Sequence, residues 1–341
     1  MDIKIDDIAN LANVSRGTVD RVLHNRGRVS EKTAAKVRKI IQEVNYQPNS
    51  LGRAFAMSQK KLKLGVLLTY KEQQFGDQIM AGILEGAELA EQFSFEVLIH
   101  AFESPTVGSC MEVLQEFAEE GVSGIAMRGL AYPQIEAEVQ QMRKNGIKVV
   151  TFNSDMISSA RDCFVGEDHQ NSGRCAAFLM QEICHFPGNI LILGVDTFHE
   201  ASMNRIESFC EVMGESQLTP PHIQIYYAEG KNQRSYEITC DYLKTNQEVR
   251  GIFVSGAGLC GACRAVEESG LIGKVKIVGF DATDTNAVYL KRGTVQFLID
   301  QDPYQQGYLP LKLLTDSIFQ GKSMERDYYD TGISIKTKYN L

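Results

Sequence analysis

Apolar residues at Ile5, Ile8, Ala9 and Ala12 keep the i, i+3, i+4, i+7 spacing of one helical face, and Asp6 or Asp7 stands near the start of that helix. Asn13, a residue type that tolerates the left-handed conformation, then allows a tight turn. Val14-Ser15 opens a second helix with Ser15 as its N-cap and Val19, Val22 and Leu23 facing inward. Ser30 caps a third helix that buries Val37, Ile40, Ile41 and Val44. The pattern predicts a small all-α bundle of three helices. After Pro48 the segment NSLGRAFAMSQKK is polar at its ends and holds Gly52, so it is expected to be disordered by itself.

From Leu62 onward the pattern changes. Short β-rich runs alternate with helical stretches: LGVLL, FEVLIHA, GIAM, KVVTF, CFVG, NILILGV, IQIYYA, GIFVS, VKIVGF and VQFLID. Alternation of this kind predicts parallel sheets with crossover helices, and about ten strands suit two lobes of one design better than one wide sheet. The expected organisation is therefore residues 1–48 as the bundle, 49–61 as a linker and 62–341 as an α/β domain with two Rossmann-like lobes. Lobe one is expected over about 62–156 and 302–325, and lobe two over about 157–301 and 326–341.

Composition refines this picture in three ways. Of 341 residues, 43% are hydrophobic and 23% charged, the balance of a globular chain with a real core. No run approaches the roughly 18 apolar residues that span a bilayer, and Met1 to Asp7 is polar and acidic, so a cytoplasmic location without membrane contact is expected. The eight cysteines are expected to be reduced thiols, mostly small buried hydrophobes. The net charge of -8 is unevenly spread. Through Lys60 there are eleven Lys and Arg against six Asp and Glu, net +5, leaving 24 against 37, net -13. A basic head on an acidic body suits phosphate binding confined to one end.

Two short helices joined by a tight turn form a helix-turn-helix, the shape that lays its second helix in a DNA major groove with the first residues toward the base edges. Those residues here are Arg16, Gly17, Thr18, Asp20 and Arg21. An arginine fork fits guanine O6 and N7, which makes Arg16 and Arg21 the candidate base readers. Gly17 costs a helix about 1 kcal/mol relative to alanine, which makes sense if the backbone must come close to the groove. Asp20 either accepts from a cytosine amine or holds an arginine in its working rotamer. The alternative is an unrelated bundle whose arginines form a solvated face.

The words of the head decide between these. VSxxTVxRVL at Val14 to Leu23, VSxxT at Val29 to Thr33 and NYxPN at Asn45 to Asn49 resemble the DNA-binding head of the lactose-repressor (LacI/GalR) family nearly residue for residue. The resemblance implies that Ser15, Thr18 and Arg28 touch phosphates, that Arg16, Gly17 and Arg21 choose bases, and that Asn49 belongs to the same DNA-binding set. Asp20 stands where the family usually has serine, so no operator sequence carries over. In the family the linker becomes a hinge helix on DNA, and a leucine wedges into the minor groove. Phe55 takes that place here, either as a wedge or packed on the large domain.

In open α/β sheets ligands sit beyond the carboxyl ends of the strands. Those ends carry Phe75, Asn153, Asp155, Glu167, Asp168, Asp196, Ser255, Asp281, Gln301 and Asp302. One aromatic among carboxylates and amides suits a polyhydroxylated ligand, although each Asx residue taken singly is equally a cap or turn former. QQFGDQIMAGILEGA, FVGEDHQNSGRCAA and VGFDATD resemble the periplasmic sugar-binding proteins of ribose-binding type. That resemblance implies a stacking role for Phe75 and polar ligand contacts at Asn153, Arg205, Asp281 and Gln301. Ser255 stands where an asparagine is usual, followed by Gly256 in place of aspartate.

The implied protein is a dimeric regulator that binds a palindromic duplex operator and responds to a sugar, polyol or sugar phosphate, without enzymatic activity, cofactor or metal. Two rival readings exist. GxGxxG at Gly256, Gly258 and Gly261 follows a strand as a dinucleotide fingerprint does, which would make the chain a nicotinamide-dependent oxidoreductase. A stand-alone sugar-binding protein would account for the large domain, but not for the head. Cys260-Gly-Ala-Cys263 has no second pair to complete a zinc site, and no leucine heptads suggest a tetramerising coiled coil.

Overall fold

The computed structural model describes residues 5–23, 27, 29–44, 62–69, 73–102, 106–156, 160–184, 187–197, 199–215, 221–321 and 323–341. Arg28, Asn49, Phe55 and the rest of the predicted linker lie outside them. The chain divides into two compact units, Met1–Lys60 and Lys61–Leu341.

The head contains α1 (Ile5–Ala12), α2 (Arg16–Leu23) and α3 (Glu31–Glu43). Its core is Ile8, Ala9, Ala12, Val19, Val22, Ala34 and Val37, with Ile40, Ile41 and Val44 packed against it half-buried. Asn13 takes the left-handed conformation at φ 52°. The Val14 amide then donates to the Ala9 carbonyl at 2.9 Å and the Asn13 amide to Asn10 at 3.1 Å, a Schellman closure that turns the chain sharply into α2. Ser15 Oγ accepts from the Thr18 amide at 3.2 Å, and Ser30 Oγ from the Thr33 amide at 3.3 Å, so both serines cap as their positions predict.

In the large unit, β1 (Leu62–Thr69), α4 (Gln73–Gln92), β2 (Phe95–Phe102), α5 (Val107–Glu119), β3 (Gly124–Arg128), α6 (Pro133–Lys144), β4 (Lys148–Phe152) and β5 (Cys163–Gly166) come first. There follow α7 (His169–Ile183), β6 (Asn189–Gly194), α8 (Glu200–Glu215), β7 (His222–Tyr227), α9 (Asn232–Thr245), β8 (Val249–Val254), α10 (Leu259–Glu268), β9 (Lys276–Phe280), α11 (Asp284–Arg292) and β10 (Phe297–Asp300). The chain ends with α12 (Pro303–Gln320), β11 (Tyr328–Asp330) and β12 (Ser334–Lys336).

These strands form two six-stranded sheets of matching order, β2-β1-β3-β4-β5-β11 and β7-β6-β8-β9-β10-β12. Every pairing is parallel except β10 with β12. The strand order reverses between β1 and β3 in one lobe and between β6 and β8 in the other, the place where such sheets open a crevice. The strands read as near-continuous apolar runs because helices cover both faces. In lobe two, Leu191, Ile252 and Ile277 meet α10 on one side, while Ile190, Phe253 and Val278 meet α7 and α8 on the other.

The lobe boundaries differ from the sequence expectation. β5 pairs with β4, and β11 pairs with β5, so Cys163–Gly166 and Tyr328–Asp330 belong to lobe one and not to lobe two. The crossings fall after Gly166, after Asp300 and after Asp330. A four-residue apolar strand such as CFVG carries no local signal of which sheet it joins; hydrogen bonding to a distant neighbour decides that. α12 then returns to lobe one and packs on α4 at very close range. A Cβ on Gly82 would stand 2.0 Å from the Tyr304 carbonyl oxygen, and one on Gly307 2.1 Å from that of Ile79.

Candidate functional site

The carboxyl ends of both sheets face one cleft. Lobe one contributes Thr69 after β1, Arg128 at the end of β3, Asn153 after β4, and Phe75 and Ile79 from α4. Lobe two contributes Val195 and His199 after β6, Arg205 on α8, Gly256 and Ala257 after β8, Asp281 after β9 and Gln301 after β10. The empty space among them is about 680 Å³, part of it open to solvent, the size class of small-molecule sites. Phe75, Asn153, Asp281 and Gln301 are thus brought together as their strand-end positions predict, and Arg205 joins them from α8.

Several of these side chains are held before any ligand arrives. Gln301 Nε2 donates to Asp281 Oδ1 at 2.7 Å, and Gln306 Nε2 donates to the Gln301 carbonyl at 2.8 Å. Asn153 Nδ2 donates to Gln306 Oε1 at 2.9 Å, so the buried Gln306 ties the β4 end to the crossing after β10. Asn153 and Asp281 both sit at positive φ, 62° and 66°, which turns their side chains away from the strand direction.

Arg205 is the best anchored. Its Nε donates to Glu167 Oε1 at 2.8 Å, its Nη2 to the same oxygen, and its Nη1 to the Ser255 carbonyl at 2.8 Å. Its guanidinium carbon lies 3.7 Å from the centre of the Phe280 ring. Glu167 and Arg205 are 1% and 3% exposed, so this is a desolvated ion pair. Burial pushes the Glu167 carboxyl up, but Arg205 and His169, whose Nδ1 lies 3.1 Å away, outweigh it and hold the group below its ordinary value.

Two predicted contacts do not reach the cleft. Asp155 is consumed within lobe one: Arg161 binds it through Nε and Nη2 at 2.6 to 2.9 Å, and Thr151 Oγ1 donates to it at 2.7 Å. Arg161 also reaches Asp327 Oδ1 at 2.7 Å, so this trio fastens the loop after β4 to the segment leading into β11. Ser255 is fully buried with its hydroxyl 2.7 Å from Ser202 Oγ, and the lining at that strand end comes from Gly256 and Ala257. Asp168 and Asp302 cap α7 and α12, accepting from the amides of Asn171 at 3.0 Å and Gln305 at 3.1 Å.

Sequence reasoning missed Thr69, Arg128 and His199. Arg128 directly follows the GIAM run and Thr69 the LGVLL run, so the strand-end rule points to both; His199 carries no comparable signal. Arg128 donates to the Thr69 carbonyl at 3.0 Å, to Ser154 Oγ at 3.4 Å and to His199 Nε2 at 3.3 Å, the last across the cleft. Burial pushes its guanidinium below the ordinary value, opposed by the charge of Asp196. A second contact across the cleft joins the Thr285 amide and hydroxyl to Gln74 Oε1 at 3.2 and 3.0 Å.

The GxGxxG glycines are explained by packing within lobe two. Gly258 caps α10 at φ 107°, and a Cβ on Gly261 would stand 1.9 Å from the Asn232 carbonyl oxygen of α9. Burial raises the Cys263 thiol well above its ordinary value, and Cys260 Sγ lies 3.2 Å from Asn286 Oδ1. Cys263 is therefore a core group, while Cys260 is half-buried. Among the described residues no three His, Cys, Asp or Glu side chains converge as a metal site would need, and no described helix is long and apolar enough to cross a membrane.

In the head, Arg16, Gly17 and Arg21 are exposed on α2 and Ser15 just before it, while Thr18 and Asp20 are half-buried. Arg16 Nη1 lies 3.6 Å from Asp6 Oδ2, an exposed pair of little energetic weight. A Cβ on Gly17 would meet nothing closer than 3.9 Å, so packing within the head does not account for that glycine.

Two mainly parallel sheets linked by three crossings, with an aromatic side chain and pre-arranged polar groups facing one another, define a two-lobed domain built to bind small molecules. Residues 64–323 match the family described as periplasmic binding protein domain, and residues 4–49 match bacterial regulatory proteins, lacI family. The chain belongs to the lacI family of bacterial regulatory proteins, with a periplasmic binding protein domain as its larger part. It is 25% identical over 297 residues to the transcriptional regulator MalR of Clostridium butyricum, covering 84% of this chain and 85% of that protein. It is 23% identical to the lactose operon repressor of Escherichia coli, covering 84% and 78%. Among solved structures, GanP, a glucose-galactose binding protein from Geobacillus stearothermophilus, superposes with a TM-score of 0.73 at 21% identity over 83% of this chain and 99% of that one. A solute-binding protein of Actinobacillus succinogenes with bound D-allose gives 0.73 at 21% identity over 82% and 99%.

Proposed function

We propose that this protein is a sequence-specific DNA-binding transcriptional repressor, not an enzyme, whose operator affinity is set by a small polyhydroxylated molecule in the interlobe cleft. The observation that carries the reading is the union, in one chain, of a lacI-type head with its α2 side chains exposed and a binding-protein cleft with its polar groups already held. Phe75 offers a face for an apolar ring surface, and Asn153, Asp281 and Gln301 offer acceptors and donors for hydroxyls. The named relatives are repressors and regulators, in keeping with this role. A ligand that touches both lobes favours the closed arrangement, and that difference in affinity is the free energy available to change DNA binding. The protein acts as a homodimer, since a two-fold operator asks for two heads.

The test is selection of duplexes from a random pool by the full chain, followed by titration of the selected operator with neutral sugars and polyols. A single palindromic sequence should be enriched, and one ligand should change its affinity. Asp281→Asn should raise the ligand concentration for half response by about tenfold or more, because an ionised acceptor makes the stronger hydrogen bond. Recovery of random duplex only would end the proposal.

Gly17 gives a separate check in the head. Gly17→Ala should stabilise the isolated helix by about 1 kcal/mol, since nothing in the head obstructs the added methyl. If the backbone there approaches the groove, the same change should weaken operator binding. Thermal melting and operator titration of the one variant should therefore move in opposite directions; improved or unchanged binding would remove Gly17 from the interface.

A further inference from the structure

Among the described residues four buried or half-buried arginines occupy lobe one and the cleft, and three of them have carboxylate partners: Arg143 with Asp162, Arg161 with Asp155 and Asp327, Arg205 with Glu167. Arg128 is different. Its hydrogen bonds go to a carbonyl, a hydroxyl and an imidazole, and among the described residues no carboxylate lies within ion-pair distance of it. Those three bonds use three of its five N–H groups, one on each nitrogen, and the remaining donors are on Nη1 and Nη2. Beside it, Thr69 Oγ1 is buried and has no hydrogen-bond partner, although Thr69 lines the cleft and its carbonyl receives Arg128. A buried hydroxyl without a partner is costly, and so is a half-buried guanidinium that Asp196 supports only from beyond ion-pair distance; the two meet at one spot.

We infer that the cleft ligand carries an anionic oxygen group, a carboxylate or a phosphate ester, received by Arg128 and Thr69 Oγ1; this rests on the small-molecule reading proposed above. An oxyanion satisfies both donors at once, and the planar guanidinium suits it better than it suits a lone hydroxyl. The hydroxyl-bearing remainder of the ligand lies toward Asp281 and Gln301. In lobe two these close β9 and β10, while His199, which meets Arg128, follows β6; β8 stands between β6 and β9. Charge recognition and hydroxyl recognition are therefore laid out at opposite ends of one cleft. A ligand with an anion at one terminus and a polyol chain fits that arrangement.

The experiment is calorimetric titration of the full chain with matched sets of one carbon skeleton: a neutral aldose, its aldonate, its uronate and its terminal phosphate, run for several hexoses and pentoses. For the skeleton that binds, the acid or the phosphate should bind about tenfold or more tighter than the neutral sugar, as a charged hydrogen-bond partner does, and which of the two wins identifies the anion. Arg128→Gln should shrink that ratio to near one. Thr69→Val, which removes the buried hydroxyl at constant shape, should lower anion affinity without lowering the melting temperature. A neutral sugar binding as tightly as its acid and phosphate in the unmodified protein would overturn the inference while leaving the carbohydrate reading intact. Silence across every set, neutral members included, would overturn both.

Discussion

Replacing Arg205 by alanine should lower the stability of the large unit by about 3 to 5 kcal/mol at neutral pH, because it strands the Glu167 carboxylate in a site that is 1% exposed. Among the described residues His169 remains hydrogen-bonded to that carboxylate, and Glu167 Oε2 already has no partner. The loss should depend on pH in a defined direction. In the unmodified protein Glu167 is held below its ordinary value of 4.5, so its contribution is complete above the ordinary carboxylate range and disappears as the pH falls through the depressed value. In Arg205→Ala, burial works on Glu167 with less opposition and favours its protonated form. The stability gap between the two proteins should therefore be widest near neutrality and narrow in acid. Urea titrations at several pH values measure it. A companion change of Glu167 to glutamine in the Arg205→Ala background should recover part of the loss, since the uncompensated charge is then gone. Because Arg205 also lines the cleft, Arg205→Ala should abolish the ligand's effect on the operator. A loss below about 1 kcal/mol that does not change with pH would mean the pair carries little weight in this fold.

The second large effect concerns the head. Arg16→Ala should weaken binding by about 1 to 3 kcal/mol per half-site at one base pair of the operator and little elsewhere, as loss of a bidentate guanine contact does. Its exposed pair with Asp6 contributes little, so the head should stay within about 0.5 kcal/mol of its original stability. Arg28→Ala provides the contrast. A phosphate contact carries no sequence information, so its loss should weaken all duplexes alike and flatten the salt dependence by about one ion. Titrating both variants against every single-base change of the selected operator, at several salt concentrations, separates the two behaviours. Uniform losses from both would refute the division of labour.

Short-range patterns foretold much of this molecule. The three head helices, the turn at Asn13, the caps at Ser15 and Ser30 and the ten main strands all follow from spacing and cap chemistry within a few residues. The strand-end rule also brings Phe75, Asn153, Asp281 and Gln301 to one cleft, because chain direction alone decides which end of a parallel sheet faces the site; Arg205, within α8, was indicated only by the family resemblance. It fails at Asp155 and Ser255 for a common reason. Each is held by a hydrogen-bonding neighbour, Asp155 by Arg161 six residues along the same loop and Ser255 by Ser202 from another segment.

The amino-acid order, by periodicity and turn chemistry, determined the elements, their sequence along the chain and the basic head on an acidic body. Only the tertiary structure decided which sheet receives Cys163–Gly166, that Glu167 neutralises Arg205, and that Arg128 reaches the Thr69 carbonyl while the Thr69 hydroxyl is buried without a partner. The physical reason is range: helical and strand periodicity is written within about ten residues, whereas sheet membership and charge pairing depend on partners tens of residues away that folding brings into contact.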